Sequence, residues 1–185
     1  YGNSDWFISA TPLNLLISFF LLLLNSKGHK WFFPMVFIAF LVGMISEILG
    51  VQFGWIFGNY QYGEQLGIKL LGVPLMIGVN WAMLTIITGA IAHQFYENTF
   101  MRIITGVGLM LLLDLLIEPV APRLDFWVFE GGEAPLQNYV GWGAVALCLQ
   151  FGYQFLKIKV ESGFPYHLYL LQIIFFTVLL IKQTT

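Results

Sequence analysis

The chain has 185 residues, of which 58% are hydrophobic and only 10% charged, with a formal net charge of −2. A soluble domain carries about 25% charged residues, and a water-soluble fold of this length has no way to hide so much apolar surface. The composition therefore excludes a soluble globular class, and the negative charge argues against nucleic acid as a partner.

A membrane-spanning helix needs about 20 mostly apolar residues. Six segments reach or approach that length: residues 10–24, 31–50, 74–96, 100–121, 136–156 and 166–181. They predict an all-α fold, a polytopic transmembrane helix bundle forming one domain over residues 1–185. The first span is short and carries Pro12 near its start. Pro74 and Pro165 open the third and sixth spans, where the first helical turn loses no N–H partner. Pro119 and Pro122 stop the fourth. Cys148 lies within the fifth; a single cysteine excludes an internal disulfide and a multi-cysteine metal site, and reads as a small buried hydrophobe. The apolar runs are continuous rather than alternating, which argues against a β-barrel. The chain begins at Tyr1, without methionine and without a charged region leading to a cleavage site, so upstream residues are expected and a signal peptide is not.

The connections fall on two sides. One side holds the 25–30, 97–102 and 157–165 connections and carries Lys27, Lys30, Arg102, Lys157 and Lys159. The other holds the 51–73 and 122–135 loops and both termini, with Lys69, Arg123 and Lys182. Short Lys/Arg-rich loops stay cytoplasmic. The first side is therefore expected inside a bacterial inner membrane, with the long loops facing out. Long, Gly- and aromatic-rich loops more often carry function than short basic connectors.

The two outward loops have a similar frame. Glu47 ends one span, an aromatic loop follows, Pro74-Leu75 opens the next, and Trp81 stands seven residues after the proline. Glu118 ends another span, Phe126-Trp127-Val128-Phe129-Glu130-Gly131-Gly132 follows, Pro135-Leu136 opens the next, and Trp142 again stands seven residues on. This is the pattern of a parallel internal repeat. Within the 51–73 loop, Gly54 and Gly58 continue a four-residue glycine spacing from Gly50. That spacing is either a close-packed helix face or the start of a turn or re-entrant cap through Asn59, Tyr60 and Tyr62.

Charges within spans are costly and mark function. Glu47, Asp114 and Glu118 all lie toward the outward ends of their spans, and Asn80 starts another there. Asp114 and Glu118 are spaced i,i+4 on one helix face. They stand about 10 Å and about 6 Å below the Pro122 break at a rise of about 1.5 Å per residue. The expectation is one carboxylate-and-amide cluster in an outward-opening hollow wide enough for an apolar chain end. With no Lys or Arg inside a span, burial favours the uncharged acid, a proton donor in an apolar pocket. His29, His93 and His167 have no metal-ligand spacing, so no metal site is expected. Thr85, Thr88, Gln150 and Gln172 read as interhelical hydrogen-bonding groups. No phosphate-binding glycine motif is present.

Two ordered blocks resemble a known family. The first is Glu47, Gly50-Val51-Gln52-Phe53-Gly54, Phe57-Gly58-Asn59-Tyr60-Gln61-Tyr62, then Leu66-Gly67, Leu71-Gly72-Val73-Pro74-Leu75 and Asn80-Trp81. The second is Asp114-Leu115-Leu116-Ile117-Glu118-Pro119-Val120-Ala121, Phe126-Trp127, Gly131-Gly132, Pro135-Leu136-Gln137-Asn138-Tyr139 and Gly141-Trp142. Together they are similar to the bacterial and archaeal carotenoid biosynthesis membrane proteins that include carotenoid 1′,2′-hydratases and bisanhydrobacterioruberin hydratase. Members of that family usually carry one further helix ahead of the first span. The resemblance implies addition of water to the terminal trisubstituted alkene of an acyclic ψ-end carotenoid. It implies a carotenoid or other polyene lipid as substrate, the bilayer as surroundings, and no cofactor.

Protonating such an alkene makes a tertiary carbocation, which needs a neutral acid and electron-rich walls. Asp114 is the first candidate acid, with Glu118 and Glu47 next. Asn80 or a second carboxylate would hold the water. Trp81, Trp127, Tyr60 and Tyr62 would stabilise the cation at about 0.5–2 kcal/mol each. Phe57 and Asn138 complete the expected substrate site. A membrane cyclase or isomerase would use the same protonation but capture no water. A prenyltransferase would need a second acidic motif. A small proton-coupled transporter or lipid-binding protein would yield no altered product.

Overall fold

The computed structural model describes residues 10–25, 29–160 and 163–184. Lys27 and residues 161–162 of the expected cytoplasmic connections lie outside them. Six helices are described: α1 Thr11–Asn25, α2 Phe32–Phe53, α3 Leu75–Phe95, α4 Thr99–Ile117, α5 Leu136–Phe155 and α6 Phe164–Thr184. Four of them, α2, α3, α4 and α6, are long and apolar enough to cross a bilayer. At 15 residues, α1 spans only about 22 Å against a hydrocarbon core of about 30 Å. Helix α5 is less apolar because it carries Asn138, Gln150 and Gln154. All three are buried and point into the bundle, away from lipid.

Local chemistry sets the helix ends. Gly54, at φ 67°, closes α2 in the left-handed conformation and returns its N–H to Gly50 O at 2.8 Å, a role that suits a residue without Cβ. The Asn98 side chain caps α4, accepting from Phe100 N at 2.9 Å and Met101 N at 3.2 Å. Helix α4 stops just before Pro119, and the chain turns through a short 3₁₀ segment, Ala121–Leu124.

Helix α3 is the centre, buried almost all round from Ile77 to Ala92, and α1, α2, α4, α5 and α6 pack on it. Lipid supplies no hydrophobic drive between helices, so small residues and polar bridges do the joining. A Cβ on Gly43 would stand 2.5 Å from Trp81 Cβ, so only glycine lets α2 lie against that indole. Gln150 reaches from α5 to Thr88 Oγ1 at 2.8 Å and Thr85 O at 3.1 Å on α3. Cys148, expected inside the protein, is exposed, because its position on α5 faces outward while Leu149 and Gln150 turn in.

The all-helical expectation omits two small ribbons. Strand β1 (Tyr60–Tyr62) pairs antiparallel with β4 (Trp127–Phe129), with Gln61 opposite Val128. Strands β2 (Lys69–Leu70) and β3 (Val73–Pro74) form a tight hairpin. The β1–β4 pair joins the two long loops directly, and so places the ends of α2 and α4 beneath one cap. Glu64 N bonds Asp125 Oδ2 at 2.8 Å, and Asn59 Nδ2 bonds Glu130 Oε2 at 3.0 Å, pinning the same two loops.

Candidate active site

Beneath the β1–β4 cap, three carboxyl groups are buried with their partners. Glu47, 3% exposed near the end of α2, receives three donors. Its Oε2 accepts the hydroxyls of Tyr60 and of Tyr62, the latter at 2.6 Å, and its Oε1 accepts Trp81 Nε1–H at 2.9 Å. The two tyrosines stand on the same strand at alternate positions, and their rings meet edge to face at 5.5 Å. Burial first, then the charge of Glu47, holds both phenols well above their ordinary range, so both stay protonated donors.

The second group comes from the other loop frame. Glu118, just past the end of α4, accepts Asn138 Nδ2 at 2.8 Å and Trp127 Nε1–H at 3.0 Å. Asp114, one turn deeper and 1% exposed, receives the same Asn138 amide at 3.4 Å. No donor among the described residues reaches its Oδ1. Asp114 and Glu118 stand one helical turn apart, and the Asn138 amide nitrogen bridges them.

A cavity of about 20 Å³ lies between these groups, walled by Glu47, Glu118, Asn138, Tyr60, Tyr62 and Trp127, with Phe57, Ile77, Phe129 and Trp142. That is room for one water molecule with polar partners on several sides. The expected hollow for a polyene end is absent in this conformation, because Phe57, Phe129 and Trp142 fill the apolar side. A second cavity of about 140 Å³ opens above, lined by Gln61, Gly63, Pro122, Asp125 and Val128. Tyr62 and Trp127 line both cavities and form the partition between them.

Glu47, Glu118, Asn138, Tyr60, Tyr62, Trp127 and Phe57 thus meet around one space. Asp114 sits behind Glu118, and Trp81 behind Glu47. Asn80 does not join them: it is half-buried on α3 outside the cavity wall, and its place as the amide partner of the carboxyls is taken by Asn138. The aromatic residues expected as π-walls act here through their O–H and N–H groups on the carboxylates. Ile77, Phe129 and Trp142 were not anticipated in the wall. For Trp142 a signal existed, because it mirrors Trp81 in the repeat, and the two indoles stack at 4.0 Å and 22°.

The family described as carotenoid biosynthesis protein matches residues 9–185. A bisanhydrobacterioruberin hydratase from Haloarcula japonica is 34% identical over 119 residues, covering 58% of this chain and 41% of that protein. The chain thus spans about two fifths of the length of that curated relative. No solved structure matches.

Proposed function

This chain belongs to the carotenoid biosynthesis protein family, and from that premise we propose that it is a membrane hydratase. In this reading it adds water to the terminal C=C of an acyclic ψ-end carotenoid. The relative's name as a hydratase supports the reaction class. The observation that carries the chemistry is a buried carboxyl pair, Asp114 and Glu118, bridged by the Asn138 amide, with Glu118 facing a third carboxyl, Glu47, across space for one water.

The roles divide by hydrogen bonding. In this reading the pair holds one proton, which reaches the cavity through Glu118 in its wall, while Asp114 behind supplies the proton in turn. Transfer to the less substituted alkene carbon leaves a tertiary cation on its neighbour. Glu47, seated on three donors, fits an anion; it faces that cation and takes the proton that the attacking water releases. The alcohol forms with no net change in protons: the acid pair gives one and Glu47 takes one, and a water in the shared cavity carries it from Glu47 back to Glu118 before the next turnover. Asn138 bridges the acid pair, and Tyr60, Tyr62, Trp81 and Trp127 hold the carboxyls in place. A cyclase would use the same protonation but needs no water, and the water-sized polar space beside the carboxyls favours hydration.

The test is co-expression with an acyclic carotenoid pathway, followed by mass analysis of the pigments. A gain of one water per modified end is expected from the wild type and none from Asp114→Asn. A product of unchanged mass would replace hydration by cyclisation or isomerisation. Unaltered pigment would remove the enzymatic reading.

A further inference from the structure

A polyene end cannot share the 20 Å³ cavity with water while the apolar side is filled, so some wall residue must give way. Most of the wall is tied down. Glu47, Tyr60, Tyr62, Glu118, Trp127 and Asn138 hold one another by hydrogen bonds. Ile77 and Trp142 stand on helices, and Phe129 stands in the β1–β4 ribbon. Phe57 is different: it is 1% exposed, its side chain is purely apolar, and its backbone belongs to no helix or strand.

The segment that carries it is strained. Phe57 N bonds Trp55 O at 2.7 Å around Ile56 at φ 66°. A two-residue closure with positive φ is the rare, unfavourable γ-turn, and a β-branched residue there is an outlier. Such strain persists only where the surroundings impose it, and it gathers at switching sites. Gly54 at φ 67° and Gly58 at φ 98° flank it and supply two pivots. The segment closes the seam where α2 meets the start of α5. Gln137 Nε2 holds Gly54 O at 3.1 Å, and Gly141 lies directly under Ile56 O, with no space for a Cβ. Outside the seam, Phe53, Trp55, Leu136 and Val140 are all exposed, an apolar face of the kind lipid covers at the end of a spanning helix.

We propose that Phe57 is a plug standing where the isoprenoid end of the substrate binds, and that the seam between α2 and α5 is the portal through which that end arrives from the bilayer. The inference rests on the acyclic polyene reading above. Swinging the γ-turn outward on Gly54 and Gly58 relieves Ile56, withdraws a phenyl ring from beside Glu47 and Trp81, and opens the cavity sideways to lipid. Water keeps its own side, through the outer cavity above Tyr62 and Trp127. Phe57 is then a specificity-determining residue, since its size and its ease of withdrawal set which chain ends are admitted.

The test uses full-length protein purified from cells that make an acyclic ψ-end carotenoid. The readouts are pigment retained per protein, from absorbance, and pigment mass. The closed plug lowers apparent affinity by the fraction of time the portal is open, so Phe57→Ala should retain about threefold more pigment or better. Phe57→Trp should retain several-fold less. Gly141→Ala, whose Cβ would push Ile56 away, should behave as Phe57→Ala does although it alters no wall residue. Phe57→Leu serves if the alanine variant does not elute as a folded protein. If these variants retain and convert pigment as the wild type does while the wild type hydrates it, the plug is refuted and the hydratase stands. If retention follows the expected order but no water is added, the plug stands and the hydratase falls. A wild type that retains no carotenoid and converts none overturns both.

Discussion

Replacing Glu47 by glutamine tests whether a buried carboxylate organises the cap. Glutamine offers one acceptor oxygen where glutamate offers two. If that oxygen serves Tyr60 and Tyr62, the amide nitrogen faces the Trp81 indole N–H, donor against donor. Trp81 is fully buried, and a buried donor without a partner costs about 1–3 kcal/mol. The two tyrosine bonds also lose their ionic acceptor, falling by about 1 kcal/mol each. Burying an amide is easier than burying a carboxylate, which offsets part of this. A net loss of about 2 kcal/mol remains, or about 4–8 °C in melting temperature for a chain of this size. The assay is heat unfolding in detergent, followed by loss of the folded size-exclusion peak. Asn80→Ala, outside the cluster, should stay within about 0.5 kcal/mol of wild type. Equal melting of Glu47→Gln and wild type would show that the three bonds hold nothing, and the proposed role of Glu47 would go with them.

Asp114→Asn should abolish the hydrated pigment while membrane insertion and elution stay as in wild type; wild-type turnover would remove the shared proton from the mechanism. Trp127→Phe takes one of two donors from Glu118 and should cost about 1 kcal/mol, lowering product yield more than pigment retention; equal yields would place Trp127 outside the reaction. Gly43→Leu would drive side-chain atoms into Trp81, and overpacking of about 1–3 kcal/mol should show as a lower melting temperature, with no change meaning that α2 and α3 can separate freely. Tyr60 and Tyr62 titrate above the ordinary phenol range in the folded state. Their stabilisation is therefore complete below about pH 10 and lost as pH rises beyond it. The double variant Tyr60→Phe, Tyr62→Phe should lose less stability than wild type above that pH, and parallel curves would refute it.

Much of the membrane architecture was legible because lipid imposes a simple rule: backbone groups must be satisfied within each span, and side chains must be apolar. Residues 31–50, 74–96 and 100–121 announce helices by hydropathy alone. Even the nearness of Glu47 to Glu118 follows from counting spans, since both end on one side. The i,i+4 spacing of Asp114 and Glu118 shows that they share a face, whatever that face meets. Asn80 against Asn138 is the contrary case. Both sit near helix starts at similar depth, but each residue turns a helix by about 100°. Only the packed rotation of α3 and α5 decides which amide reaches a carboxyl.

The chain's pattern of residues thus determined that it crosses lipid, where its buried acids lie along the spans, and which two loops carry aromatic groups. It did so because hydropathy and helical rise are local properties. Tertiary structure alone decided that β1 pairs with β4, that Tyr60, Tyr62 and Trp81 converge on Glu47, that Asn138 bridges Asp114 and Glu118, and that Phe57 fills the remaining space. Each of these depends on how separate helices are rotated and stacked against one another, which is a property of the whole packed bundle.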